Sequence, residues 1–255
     1  MSSQFNPFSL DGKTVVITGA SSGIGRQCAI DCSKMGAKII MIARNEDRLK
    51  ECLGRLNGSG HMYFLADLSQ TDKVVEVSRK ITINVGKIDG IVHCAGISTT
   101  LPLKLMTTKL IMDFFRTNVF SAIELTRELS KVKSMNEGGS IVYLSSVMGC
   151  VGEKGKSLYS MTKGSLIAGA KSLACEFSKR RIRVNCISPG VIQTPINEKL
   201  SHMTENELRK KLEEMHLLGF GKSEDISNGV IYLLSDAARW ITGQNIIIDG
   251  GYTVR

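Results

Sequence analysis

The stretch KTVVITGASSGIG, residues 13–25, decides the fold. Thr14, Val15, Val16, Ile17 and Thr18 form an unbroken β-branched run. A short apolar run without polar alternation fits a strand buried on both faces, as strands of parallel sheets are. Glycines then punctuate the turn, and from Gly23 the pattern becomes helical to about Met35, with Gly36 as a natural terminator.

The same alternation continues outward. Residues 37–43, 61–66, 88–96, 139–146, 181–190 and 244–251 read as six further strands. Between them the sequence predicts a helix capped by Asn45, one beginning at Ser69 or Thr71, a long one over about 107–132, one over about 157–178, and a last one from a Ser223 cap to Leu234. Strand and helix alternating along a chain imply right-handed crossovers and a covered parallel sheet. The expected fold is therefore α/β: one doubly wound (Rossmann) domain over residues 1–255, a seven-stranded parallel sheet with helices on both faces. Residues 191–222 break the rhythm and contain a capping-box signal at Thr204 and Glu207. An insertion at the ligand edge of such a sheet reads as a substrate lid.

Composition narrows the class. The chain has 255 residues, 42% of them hydrophobic, and a formal net charge of +9. Its basic residues are scattered, with short clusters at Lys131 and Lys133, 179–183 and 209–211, and no aromatic-interleaved stripe suited to nucleic acid. The seven cysteines form no C-x-x-C pair and no zinc spacing, and the four histidines share no spacing, so no metal is assigned. The segment MSSQFNPFSL, residues 1–10, has neither the basic nor the apolar region of a signal peptide, and no run approaches the ~18 apolar residues of a membrane span, so neither is expected. A cytoplasmic protein with reduced thiols is expected, without nucleic-acid or membrane partners.

Ligands of doubly wound sheets sit beyond the carboxyl ends of the strands. There the TGASSGIG turn, residues 18–25, lets the backbone pass close to a pyrophosphate that faces the free N–H groups of the following helix. After the second strand stand Ala43 and Arg44, with no acidic residue before Glu46. A carboxylate there would repel a 2′-phosphate and an arginine would hold one, so NADP(H) is expected over NAD(H). Asp67 follows the third strand, placed to accept from an adenine amino group.

Tyr159 and Lys163 lie four apart in a helical segment and share one face. A phenol of ordinary pKa near ~10 is a poor acid or base at neutral pH. A neighbouring ammonium favours the phenolate and moves the group toward a useful range. Ser146 ends the fifth strand, and Asn118 falls within the long helical region.

With these residues on the page, the chain resembles the short-chain dehydrogenase/reductase family. The motifs occur in order: TGASSGIG, Asp67-Leu68, the CAG of 94–96, Asn118, SSVMG at 145–149, YSMTK at 159–163, Pro189-Gly190 and Thr194. The resemblance implies that Tyr159 is the acid in reduction and that Ser146 holds the substrate oxygen. Lys163 would bind the nicotinamide ribose and acidify the tyrosine, and Asn118 would position a water that relays protons. For the cofactor it implies Gly19, Ser21, Ser22, Gly23 and Ile24 at the pyrophosphate, and Arg44, Asp67 and Leu68 at the adenosine. Ala95 and Gly96 would line the middle, with Pro189, Gly190, Ile192 and Thr194 around the nicotinamide. It also implies a homo-oligomer, tetramer or dimer, built on the long helices. One departure stands out: Cys94 occupies the place of the family's usual asparagine.

Within the family the chain looks closest to the 3-oxoacyl-(acyl-carrier-protein) reductase branch, judged over 223–252. The basic residues Lys179, Arg180, Arg181 and Arg127 would suit an acidic carrier. The alternative within the class is reduction of a sugar or other small ketone. From another class, a non-catalytic NADP(H)-sensing binding protein would need the cofactor turn but no proton donor.

Overall fold

The computed structural model describes residues 5–194 and 206–254. Seven parallel strands form one sheet: β1 (Thr14–Thr18), β2 (Lys38–Ala43), β3 (Met62–Leu65), β4 (Ile88–His93), β5 (Met135–Leu144), β6 (Arg183–Pro189) and β7 (Asn245–Ile248). Their order is β3-β2-β1-β4-β5-β6-β7. Alternate strand residues feed two cores. Val15, Ile17, Ile39 and Met41 face one side with α1 (Gly23–Lys34) and α8 (Ser223–Leu234). Val16, Ile40, Ile42 and Ile91 face the other, under α3 (Thr71–Asn84), α5 (Ser121–Leu129) and α6 (Ser157–Glu176). Covering both faces is what makes the strands apolar throughout.

The strand order reverses between β1 and β4, which stay paired to their last residues, Thr18 and His93, so the crevice expected of such sheets lies beyond their carboxyl ends. Short capping contacts fix the helices around it. Asn45 accepts from the Arg48 amide at 2.9 Å and starts α2 (Glu46–Leu53). Thr107 accepts from the Leu110 amide at 3.2 Å and starts α4 (Thr108–Phe115).

Three expectations are corrected. The helix predicted over about 107–132 runs without a gap from Thr108 to Leu129 but is not uniform, its α4 and α5 segments being joined by a π turn at Arg116–Phe120. Ser223 is not the cap of α8. The residue before the helix is Lys222, whose amide donates to the Asp225 carboxylate at 2.7 Å. Finally, β5 starts earlier than predicted and carries a register irregularity, Ile88 pairing with Met135 and Gly90 with Ser140, around the left-handed Gly138.

The chain after β6 includes α7 (Asn206–Glu214). The capping signal at Thr204 lies outside the described residues. No helix among the described residues is long and apolar enough to cross a membrane.

Candidate active site

Two cavities open along the carboxyl edge of the sheet, sharing Ile24, Cys94, Gly96, Ile97 and Thr194 in their walls. The first follows the glycine turn from Gly19 through Ser21, Ser22 and Gly23 to Arg44, Asp67 and Leu68, with Ala95 opposite. The second contains Ser146, Tyr159 and Lys163, faced by Pro189, Gly190 and Ile192. Every expected site residue except Asn118 therefore lines this continuous cleft.

The glycine turn is built for close approach. Gly19 has φ +66°, and a Cβ there would meet the Ala95 backbone at 3.0 Å. A Cβ on Gly25 would run into the Gly19 carbonyl oxygen. Thr18 Oγ1 accepts from the Ala95 amide at 3.1 Å, which ties β1 to β4 across the crevice. α1 begins here with no acidic residue in its first turn, so its positive dipole end is left for an anion. Shape and charge together fit a dinucleotide.

At the far end, Arg48 joins Arg44 in the cavity wall. Sequence reasoning left Arg48 in the body of α2, although its spacing of four from Arg44 was available as a signal. Asp67 accepts from the Ser69 amide at 3.0 Å and hydroxyl at 2.8 Å. Burial pushes its carboxyl upward, but the Ser69 bonds and nearby Arg44 outweigh that and hold it below the usual carboxylate range.

At the reacting end, Lys163 Nζ donates to the Leu144 carbonyl at 2.7 Å and lies 5.7 Å from the centre of the Tyr159 ring. Burial draws Lys163 down to about 8, partly offset by Cys94 and Cys186. Burial pushes the Tyr159 phenol up to about 12, with a hydrogen bond to Ser146 acting the other way. The expectation that the lysine charge makes the phenol acidic is thus corrected for the protein alone, where desolvation is the larger effect.

Asn118 stands behind the cleft wall, buried in the π turn. Its Oδ1 accepts from the Ile97 amide at 2.8 Å, and its Nδ2 donates to the Ile97 carbonyl at 3.0 Å and to Thr162 Oγ1 at 3.1 Å. Both amide donors are engaged, so the side chain fixes the strand end beside Gly96 and α6 instead of offering a proton to water.

Cys94 sits where the two cavities meet, and Cys28 behind it is raised well above the usual thiol range, by a hydrogen bond to Cys94 first and by burial second. The cleft wall also holds Lys156, which no sequence motif singled out, and Leu212 and His216 from the segment expected to form the lid.

The basic residues expected to meet a carrier lie elsewhere. Lys179, Arg180 and Arg181 precede β6 and so stand at the amino edge of the sheet, opposite the cleft. Arg180 is committed to the carbonyls of Ser130 and Met135, and Arg127 pairs with Glu124 and Glu128.

Comparison with known proteins places the chain among its relatives. A family model described as Enoyl-(Acyl carrier protein) reductase matches residues 19–253. A tropinone reductase homologue of Arabidopsis thaliana is 34% identical over 251 residues, 97% of this chain and 92% of the relative. The 3-oxoacyl-(acyl-carrier-protein) reductase of Thermotoga maritima is 34% identical over 248 residues, covering 96% and 99%. A short-chain type dehydrogenase/reductase from Mycobacterium ulcerans superposes with a TM-score of 0.88 at 29% identity, covering 97% and 92%.

Proposed function

Because the chain belongs to the short-chain dehydrogenase/reductase family, a family of oxidoreductases, we propose that it reduces a ketone to a secondary alcohol with NADPH. The supporting observation is that Ser146, Tyr159 and Lys163 share a cleft with the dinucleotide-shaped groove at the glycine turn.

When bound, the nicotinamide supplies the hydride. The protein orients the carbonyl oxygen between the hydroxyls of Ser146 and Tyr159, and Tyr159 gives its proton to that oxygen as negative charge develops there. With its phenol near 12, the tyrosine enters the reaction protonated, as a reductive step needs. Lys163 holds the ribose and, when charged, steadies the phenolate left behind. Arg44 and Arg48 are the groups that favour NADPH over NADH. Of the lid expected over residues 191–222, 195–205 lie outside the described residues, and the reading of it as a lid is supported by Leu212 and His216 in the cleft wall. Self-association through α5 and α6 belongs to the same reading, supported by exposed Phe120, Ile123 and Met161. So does a reducing, cytoplasmic setting, which suits seven free thiols.

Two substrate classes follow. Similarity to the Thermotoga maritima reductase supports a 3-oxoacyl group on a carrier protein. The tropinone reductase homologue, together with the position of the basic cluster away from the cleft, supports a small ketone. A screen of NADPH consumption across acyl thioesters, ketoses and small ketones tests the proposal. NADPH binding without turnover of any of them would favour a non-catalytic nucleotide sensor.

A further inference from the structure

Lys156 precedes the first residue of α6 and is only 4% exposed. It lines the same cleft as Ser146 and Tyr159. Among the described residues its ammonium has no hydrogen-bond or ion-pair partner, and Glu153, the charge that acts on it, is itself exposed. Burial outweighs that glutamate and holds Lys156 below the usual lysine range.

The Lys156 stem is buried while its ammonium, in the cleft wall, meets no protein partner among the described residues, which leaves the charge to whatever enters the cleft. The position carries a penalty. Lys156 stands at the amino end of a 20-residue helix, where the helix dipole disfavours a cation and attracts an anion. No acidic side chain occupies the first turn of α6 to answer either charge. A side-chain cation and a helix terminus of the same sign therefore meet in one part of the cleft, whose wall also holds the Glu153 carboxylate, though Glu153 makes no ion pair with Lys156. A negative group on the ligand would satisfy both.

The spacing limits where that group sits. Lys156 and Tyr159 are three residues apart at the start of the helix, a separation of about 5–6 Å between Cβ atoms. We infer that the substrate is a ketone carrying a small anionic group, a carboxylate or a phosphate, a few bonds from its carbonyl, and that Lys156 binds that group. The inference rests on the ketone-reductase reading and, of its two substrate classes, favours the small ketone.

Two matched pairs of probes test it: 3-oxobutanoate against its methyl ester, and dihydroxyacetone phosphate against dihydroxyacetone. In at least one pair the anionic member should have a kcat/KM about 10- to 100-fold higher, the size expected for one charge-assisted contact. The pair that responds tells carboxylate from phosphate. Lys156→Met should remove the preference and Lys156→Arg should keep most of it. Equal or reversed preference in both pairs, or a preference that survives Lys156→Met, overturns the inference.

A binding titration on the unmodified protein reads the same point without turnover. With NADP+ bound, 3-hydroxy-3-methylbutanoate should bind more tightly than its methyl ester, or glycerol phosphate more tightly than glycerol, by about 10-fold. Equal binding in both pairs overturns the anion site. Absence of turnover with anion binding intact would instead overturn the reductase reading.

Discussion

The amide of Val191 donates to Nε2 of His216 at 3.1 Å. Since Nε2 accepts, the ring proton is on Nδ1, which lies 2.8 Å from the Leu212 carbonyl and donates to it. The same ring packs 4.8 Å from Tyr252 and 5.4 Å from Phe220, centre to centre. One neutral histidine thus joins the end of α7, the segment after β6 and the last turn of the described chain. His216→Ala should leave two backbone groups without partners and open a gap between rings, lowering stability by about 2–4 kcal/mol. Urea unfolding of variant and parent measures this; a loss below about 0.5 kcal/mol would mean the ring is replaceable by water.

Tyr159→Phe removes the proton donor and leaves the glycine turn untouched. Turnover should fall by about 10²–10⁴-fold while NADPH affinity stays close to that of the parent. Steady-state kinetics on any ketone found in the screen decide the point, and equal rates would exclude Tyr159 as the acid.

Arg44 and Arg48 flank one end of the groove, which gives a prediction about nucleotide choice. Arg44→Ala should weaken NADPH much more than NADH, and Arg48→Ala should do so to a lesser degree. For a lost guanidinium–phosphate contact the expected change is about 10- to 100-fold. Fluorescence titrations with both nucleotides test it; a parallel loss for the two would place the 2′-phosphate elsewhere.

His93 offers a pH test of the buried core. Its Nε2 lies 2.9 Å from Thr126 Oγ1, its ring stacks on Tyr143, and burial lowers its pKa to about 3. The folded protein keeps this ring neutral, whereas the unfolded chain takes up the proton below its ordinary value near ~6.5. Stability from this group is complete above that value and declines as pH falls toward 3, because the unfolded state then binds more protons. At pH ~5 the loss relative to neutral pH is about 2 kcal/mol. His93→Leu should flatten the acid side of the stability profile by that amount. Parallel profiles for variant and parent would show that His93 is protonated in the fold.

The sheet was legible because its strands are β-branched runs that need no tertiary context to recognise. The groove was legible because the ligand-facing residues follow strand ends, where sequence position and spatial position coincide. Lys156 was not: in the run Glu153-Lys154-Gly155-Lys156 it reads as one more solvated charge, and only the fold shows that it is buried. His216 was missed for the same reason, since its partners at Val191 and Tyr252 are distant along the chain. The opposite error occurred at 179–181, where local charge suggested a partner and the fold placed that charge at the wrong edge of the sheet.

The π turn between α4 and α5 escaped detection because hydrophobic periodicity barely registers a single added residue. Its consequence is a matter of phase. A π turn holds one residue more than the α-helical turn it replaces, so everything after it is rotated by about 100° relative to an unbroken helix. Removing one residue from 116–120 would therefore do more than shorten the chain. It would swing the apolar stripe of Ala122, Leu125 and Leu129 off the sheet and turn the Asn118 amide away from Ile97, so that this wall of the groove and the packing beneath it would come apart together.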